Sequence, residues 1–149
     1  MIKKKPAYTV AILGATGAVG KETLEILEER KFPLMNLKLF ASKRSAGEVM
    51  TFDGVDFAFI SATDAISRAY GQHLGAAGIV VIDDSAVFRM DDGVPLVVPE
   101  VNASALHDMP RGIVSIPNCT TTPLVMAIKP LHDAVGVKRV VVTTFQSVS

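Results

Sequence analysis

Short apolar runs alternate along the chain with stretches in which apolar residues recur every three or four positions. That alternation predicts βαβ units and a parallel sheet. Residues 8–13 (YTVAIL) predict a buried strand that runs into a glycine-rich turn. Residues 21–30 (KETLEILEER) predict a helix with Leu24, Ile26 and Leu27 as its apolar positions. Residues 37–41 and 57–61 predict a second and a third strand. Asp64 is placed to cap a helix whose apolar stripe is Ile66, Ala69, Tyr70, His73, Leu74 and Ala77, and Gly78 follows where a left-handed glycine ends such a helix. Residues 79–82 and 113–116 predict two more short buried strands. Residues 121–134 predict a helix that Pro130 should kink or end early, and residues 140–145 (VVVTTF) a closing strand. The expected fold is α/β, with a doubly wound, mostly parallel sheet. No internal repeat or low-complexity linker interrupts it, and the chain stops inside what reads as structure.

Composition narrows the function classes. The 149 residues fit about one domain. Fifteen Lys and Arg balance fifteen Asp and Glu, so no net field recruits nucleic acid or an anionic membrane. Lys3, Lys4 and Lys5 read as a solvated leader. No apolar stretch approaches the roughly 20 residues of a membrane span, and no signal-peptide pattern opens the chain. The single cysteine, Cys119, cannot form an internal disulfide, which fits a reducing, cytoplasmic setting. Only 20% of residues are charged and 49% are hydrophobic, a lean surface for a domain standing alone. Either both sheet faces are covered, or a partner surface lies outside this chain.

The first strand leads into Gly14, Ala15, Thr16, Gly17, Ala18, Val19 and Gly20, with a helix directly after. Glycines let a backbone turn sharply and approach a pyrophosphate, whose charge the helix N-terminus then meets. The spacing is GxxGxxG rather than GxGxxG, so a ligand-free tight turn is the competing reading. The context points to a Rossmann-type dinucleotide site made by Gly14, Thr16, Gly17, Ala18, Val19 and Gly20, with Ser61 and Ala62 at the end of the third strand beside them. NAD enzymes usually carry Asp or Glu after the second strand to bind the ribose 2′-hydroxyl. Here the strand ends in ASKRSAG, which has no acid and whose two cations and two hydroxyls suit a 2′-phosphate instead. NADP is the expected cofactor, and no metal site is expected.

Cys119 lies in IPNCTTTP, after a strand and at the start of a helix. Helix N-termini stabilise a thiolate, which is the nucleophilic form. Backbone N–H groups there, with the Asn118 amide, could hold an oxyanion formed by attack on a carbonyl. A lone cysteine is more often an inert buried residue; polar neighbours and placement at the C-terminal end of a strand argue for catalysis. No histidine is placed to serve as its base. His132 is roughly 20 Å further along the same helix, His73 falls on an apolar stripe and reads as packed, and His107 lies in a short polar segment.

GATGAVG, SKRSAG, IDDSAVFRMDDGVPLVVPEVN, PNCTT and VVVTTFQSVS, in this order, together resemble aspartate-semialdehyde dehydrogenase. The PGCY segment of N-acetyl-gamma-glutamyl-phosphate reductases and the SCTTNC segment of glyceraldehyde-3-phosphate dehydrogenases fit less well. The resemblance implies NADPH-dependent reductive dephosphorylation of aspartyl 4-phosphate to aspartate semialdehyde through a Cys119 thioester, in lysine (diaminopimelate), threonine and methionine biosynthesis. It also implies that Thr16 and Gly17 meet the pyrophosphate, and that Ser42, Arg44 and Ser45 meet the 2′-phosphate. Arg89 would bind the substrate phosphate, while Asn118 and Gln146 would contact substrate beside the nucleophile. A homo-oligomer, dimer or tetramer, is implied for the full-length enzyme.

The expected division is a cofactor domain over residues 1–117. Residues 118–149 would then be the nucleophile helix and first strand of a second, catalytic and dimerisation domain that the family carries and this chain lacks. Two local departures accompany it. Only 14 residues separate Ser42 from Phe57, near the lower limit for a parallel crossover, so a lost segment at residues 51–54 should leave a break or a taut path. Asp84, Ala86 and Thr63 stand where the family usually has Asn, Ser and Gly. The reading from another class is a non-catalytic NADP-binding or interaction domain, since no base is evident.

Overall fold

The computed structural model describes residues 4–41 and 51–145. Five strands form one all-parallel sheet in the order β2-β1-β3-β4-β5. They are β1 (Tyr8–Leu13), β2 (Leu34–Phe40), β3 (Phe57–Ile60), β4 (Val80–Asp83) and β5 (Ile113–Ser115). Helix α1 (Ala18–Glu29) links β1 to β2, and α2 (Asp64–Ala76) links β3 to β4. A short α3 (Pro99–Asn102) and a 3₁₀ turn (Ala103–His107) precede β5, and α4 (Thr121–Val135) follows it.

Alternation along β1 explains the layering. Val10 and Ile12 pack with Leu27 of α1 on one face, while Ala11 and Leu13 pack with Leu74 of α2 and Phe88 on the other. Side chains on a strand point to opposite faces in turn, so a central strand that is apolar throughout needs a helix on each side. The sheet is therefore doubly wound, as the alternation predicts.

Helix α2 approaches its sheet through small residues. Ser67, Gly71 and Leu74 are its buried positions. A Cβ on Gly71 would lie 2.7 Å from the Phe88 ring, and one on Gly75 would lie 2.2 Å from Arg111 O. The predicted apolar stripe named the partly buried Ile66 and Tyr70 but not this small-residue face. It also placed His73 inward. His73 is exposed, with Nδ1 3.0 Å from Ala69 O, because its neighbours Ala69 and Ala77 sit on the helix flank rather than its floor.

Four further expectations are corrected. Thr63, not Asp64, is the N-cap of α2, and no side chain caps the helix. Helix α1 begins at Ala18, inside the glycine turn, and Ile26 is 40% exposed. Helix α4 continues through Pro130 to Val135. Proline removes one backbone donor, and Met126, whose carbonyl it leaves free, is solvent-exposed. Residues 140–145 form no strand: Val141 is 79% and Phe145 91% exposed. Extended segments need a partner ladder, and β5 has its outer edge occupied by residues 95–97, through Val97 N–H to Ser115 O and Ser115 N–H to Pro95 O.

The return from β2 to β3 is described only from Thr51. Phe52 packs against Phe40, with ring centroids 5.0 Å apart, and Gly54 turns the chain at φ 71° so that Val55 is buried. Lys38 Nζ donates to Thr51 O and Asp53 O, both at 3.1 Å. The expected break or taut path at residues 51–54 is thus a compact turn. The rest of the crossover, with Ser42, Arg44 and Ser45, lies outside the described residues.

Candidate active site

The strand order reverses between β1 and β3: the connection from β1 goes one way to β2, and that from β3 the other way to β4. Open α/β sheets bind ligands at the C-terminal strand ends beside this switch point. Both predicted motifs sit on that edge.

The glycine turn is shaped by three close approaches. Gly14 adopts φ 90°, a conformation L side chains rarely take, and a Cβ there would lie 2.0 Å from Ser61 O. A Cβ on Gly20 would lie 2.3 Å from Gly14 O. Gly17 donates its N–H to Gly14 O at 2.9 Å and serves as the N-cap of α1, with no side-chain hydrogen bond. The first-turn donors of α1, at Ala18, Val19 and Gly20, have no intrahelical partner. No acid in that turn opposes an anion, and Thr16, Gly17, Ala18 and Val19 are exposed. The cradle fits a pyrophosphate. Ser61 and Ala62 border it directly, Ser61 through its amide bond to Leu13 O and its contact with Gly14.

Beyond β5, Asn118 organises the segment that carries Cys119. Its Oδ1 accepts from Thr120 N–H at 3.0 Å and from Thr120 Oγ1 at 2.8 Å, while its backbone oxygen accepts from the Thr121 and Thr122 amides. The side-chain oxygen is thereby committed, which leaves the amide nitrogen as the side chain's donor. Cys119 is exposed, with Sγ 3.7 Å from Asn118 Oδ1, two residues before α4 begins.

Arg89 ties the Cys119 segment to the turn after β4. Its Nη2 donates to Asp84 O at 2.8 Å and its Nε to Ile116 O at 3.0 Å. The turn after β4 is thus tied to the segment that presents Cys119. Sequence reasoning had assigned Arg89 to a phosphate and missed this tie, which depends on carbonyl directions that no motif encodes. The turn itself is held by Asp83, fully buried, whose Oδ1 accepts from Ser85 N–H and Ser85 Oγ. Asp84 accepts a hydrogen bond from Ser61 Oγ. Burial pushes its carboxyl above the ordinary value and the neighbouring Asp83 adds to this, against the Ser61 bond and Arg89.

His73, His107 and His132 are all exposed and belong to other parts of the fold: α2, the 3₁₀ turn and the last turn of α4. Gln146 lies outside the described residues. Among the described residues no cluster of metal-ligating side chains occurs, and no helix is long and apolar enough to cross a membrane.

Comparison with known proteins agrees with this geometry. The family model described as "Semialdehyde dehydrogenase, NAD binding domain" matches residues 9–54 and 48–109. The aspartate-semialdehyde dehydrogenase of Aquifex aeolicus is 46% identical over 159 residues, which cover 95% of this chain and 47% of that protein. That of Legionella pneumophila is 46% identical over 156 residues, covering 94% and 45%. The Aquifex alignment is longer than this whole 149-residue chain, so the relative has residues inside the aligned span that this chain lacks. Among solved structures, aspartate semialdehyde dehydrogenase II of Vibrio cholerae complexed with ASA superposes with a TM-score of 0.79 at 42% identity, over 88% of this chain and 48% of that one. The Candida albicans enzyme with NADP, at 23% identity and a TM-score of 0.66, shares the fold. The chain spans about half the length of the curated relatives it matches. A cofactor turn at the switch point, a family match across it and close sequence relatives agree: the chain belongs to the semialdehyde dehydrogenase family, as its NAD-binding domain.

Proposed function

We propose that this chain is the cofactor-binding, nucleophile-bearing part of an NADP-dependent aspartate-semialdehyde dehydrogenase that works in the cytoplasm as a homo-oligomer. The observation that carries the reading is the placement of the glycine cradle and Cys119 on one sheet edge, with the Cys119 segment tied by Arg89 to the turn after β4 that lies between them. Gly14, Thr16, Gly17, Ala18, Val19 and Gly20 hold the pyrophosphate, with Ser61 and Ala62 beside them. Ser42, Arg44 and Ser45 hold the 2′-phosphate, since residues 41–47, directly after β2, include no acid.

The Cys119 thiolate attacks the acyl carbon of aspartyl 4-phosphate. The bond to the phosphate oxygen breaks, phosphate leaves with that electron pair, and a thioester remains. NADPH, when bound, supplies the hydride that reduces the thioester. The carbon–sulfur bond then breaks, releasing the semialdehyde and restoring the thiolate. The Asn118 amide nitrogen donates to the oxyanion in both tetrahedral stages. Arg89 presents its remaining N–H groups to the substrate phosphate, and Gln146 contacts substrate.

Residues 1–117 form the cofactor domain, and residues 118–149 lead into the second half that the relatives carry. The proton-transferring base belongs to that half, so the chain alone binds cofactor and turns over negligibly. The exposed histidines favour this, and they are also what supports the non-catalytic alternative. Calorimetric titration with NADPH and NADH tests the cofactor assignment: NADPH binds more tightly, and Arg44→Ala costs about 1.5–3 kcal/mol, the range for bonds to a charged group. Equal affinity for the two cofactors would refute the assignment.

A further inference from the structure

The mechanism above leaves unused a carboxylate that stands between the cradle and the nucleophile. Asp84 is the first residue beyond β4, and its amide donates to Ile60 O at 3.2 Å. Ser61 Oγ donates to its carboxylate, and Ser61 is itself in backbone contact with Gly14. On the other side, Arg89 bridges Asp84 O and Ile116 O. Gly14, Ser61, Asp84 and the segment leading to Cys119 therefore follow one another along the carboxyl edge, in the strand order β1, β3, β4, β5.

A dinucleotide with its pyrophosphate at α1 can put only one half on the nucleophile's side. With the adenosine half toward β2, the nicotinamide half would cross the ends of β3 and β4 on its way to Cys119, and Asp84, at the end of β4, would lie along that path. A carboxylate is an acceptor, and the donors this half offers are the two hydroxyls of its ribose and its carboxamide nitrogen. The ribose is the nearer to the pyrophosphate and so reaches β4 first. Ser61 engages one carboxylate oxygen and fixes the group's orientation. Half-burial makes a charge here costly, and incoming hydroxyl donors offset that cost.

We propose that Asp84, oriented by Ser61, binds the hydroxyls of the nicotinamide-side ribose. The proposal rests on the reading of this chain as an NADP-binding domain. Calorimetry with NADPH and with 2′,5′-ADP, which lacks the nicotinamide half, separates the two claims. Asp84→Ala should weaken NADPH binding on the order of 10-fold, as loss of a charge-assisted hydrogen bond predicts, and leave 2′,5′-ADP unchanged. Ser61→Ala, which removes only the hydroxyl on Asp84 and keeps the backbone contacts by which Ser61 borders the cradle, should produce a smaller loss of the same selectivity, and it serves as the readout if the aspartate variant does not fold. Equal losses for both ligands would make Asp84 a structural clasp between β3 and β4, and unchanged NADPH affinity would remove it from the site; either overturns the proposal. If the unaltered chain binds neither ligand, the cofactor reading falls and the proposal with it.

Discussion

Arg89 carries the strongest contrast between motif and structure. A guanidinium assigned only to substrate could be removed without disturbing the fold. Here it makes two hydrogen bonds to backbone carbonyls, across a joint where β4 and β5 have already ended. Arg89→Ala should therefore lower stability by about 1.5–3 kcal/mol. Urea denaturation measures this, and an unchanged midpoint would mean that the tie contributes nothing. At this scale much of the site was legible. Gly14, Gly17 and Gly20 and the PNCTT segment were recognisable because backbone conformation and helix entry restrict residue type. The roles of Asn118 Oδ1 and of Asp84 with Ser61 were not, because each depends on a partner brought in from elsewhere along the chain or on a rotamer.

The elements were readable where burial dictated them. β1, β3, β4 and β5 match their apolar runs to within a residue or two, since strands covered on both faces leave few polar choices. The edge strand β2 begins three residues earlier than predicted, at Leu34, where exposed Leu34 and Met35 break the inward pattern. Residues 140–145 show the converse: β-prone composition makes no strand without a ladder to join. Helix α2 was found, and Ile66, Tyr70 and Leu74 of its predicted stripe do pack on the core, but the closest approach is made through Gly71 and Gly75, which that stripe omits. Gly75→Ala would drive a methyl into Arg111 O, so α2 must lift from β5 at a cost of roughly 1–3 kcal/mol. A melting temperature equal to that of the unaltered chain would show that α2 has slack.

The start of β3 is pinned to the N-terminal segment by Asp56, which accepts from Lys5 Nζ and from Thr9 N–H at 2.9 Å. The Lys5 bond, then the Thr9 amide, hold its carboxyl below the ordinary 3.8 against a smaller opposing effect of burial. A depressed carboxylate stabilises the fold above the unfolded-state value and loses that contribution as pH falls through the folded one. The unaltered chain should thus exceed Asp56→Asn in stability near neutral pH, and the gap should close as pH drops below 3.8. A gap independent of pH would mean the contacts act by geometry and not by charge.

As a whole, the molecule leaves apolar surface uncovered on α4 and the described residues after it. Helix α4 buries no residue, and Leu131, at 59% exposure, and Val135 face solvent with Val141 and Phe145 beyond them. The lean charge content expected either covered faces or a partner surface. The sheet is covered on both faces, as the first of these readings expects, while α4 and residues 136–145 are bare. Relatives about twice as long supply a second half that such a surface suits. The chain alone should associate in a concentration-dependent way, measurable by sedimentation, and a monomer at high concentration would argue that the face needs no cover. The most direct test of the whole account is phosphate-dependent NADPH formation from aspartate semialdehyde by two proteins: this chain alone, and this chain fused to the C-terminal half of the Aquifex aeolicus relative. The account predicts negligible turnover by the chain and turnover by the fusion that Cys119→Ser abolishes. Substantial turnover by the chain alone, or by the Cys119→Ser fusion, would contradict it.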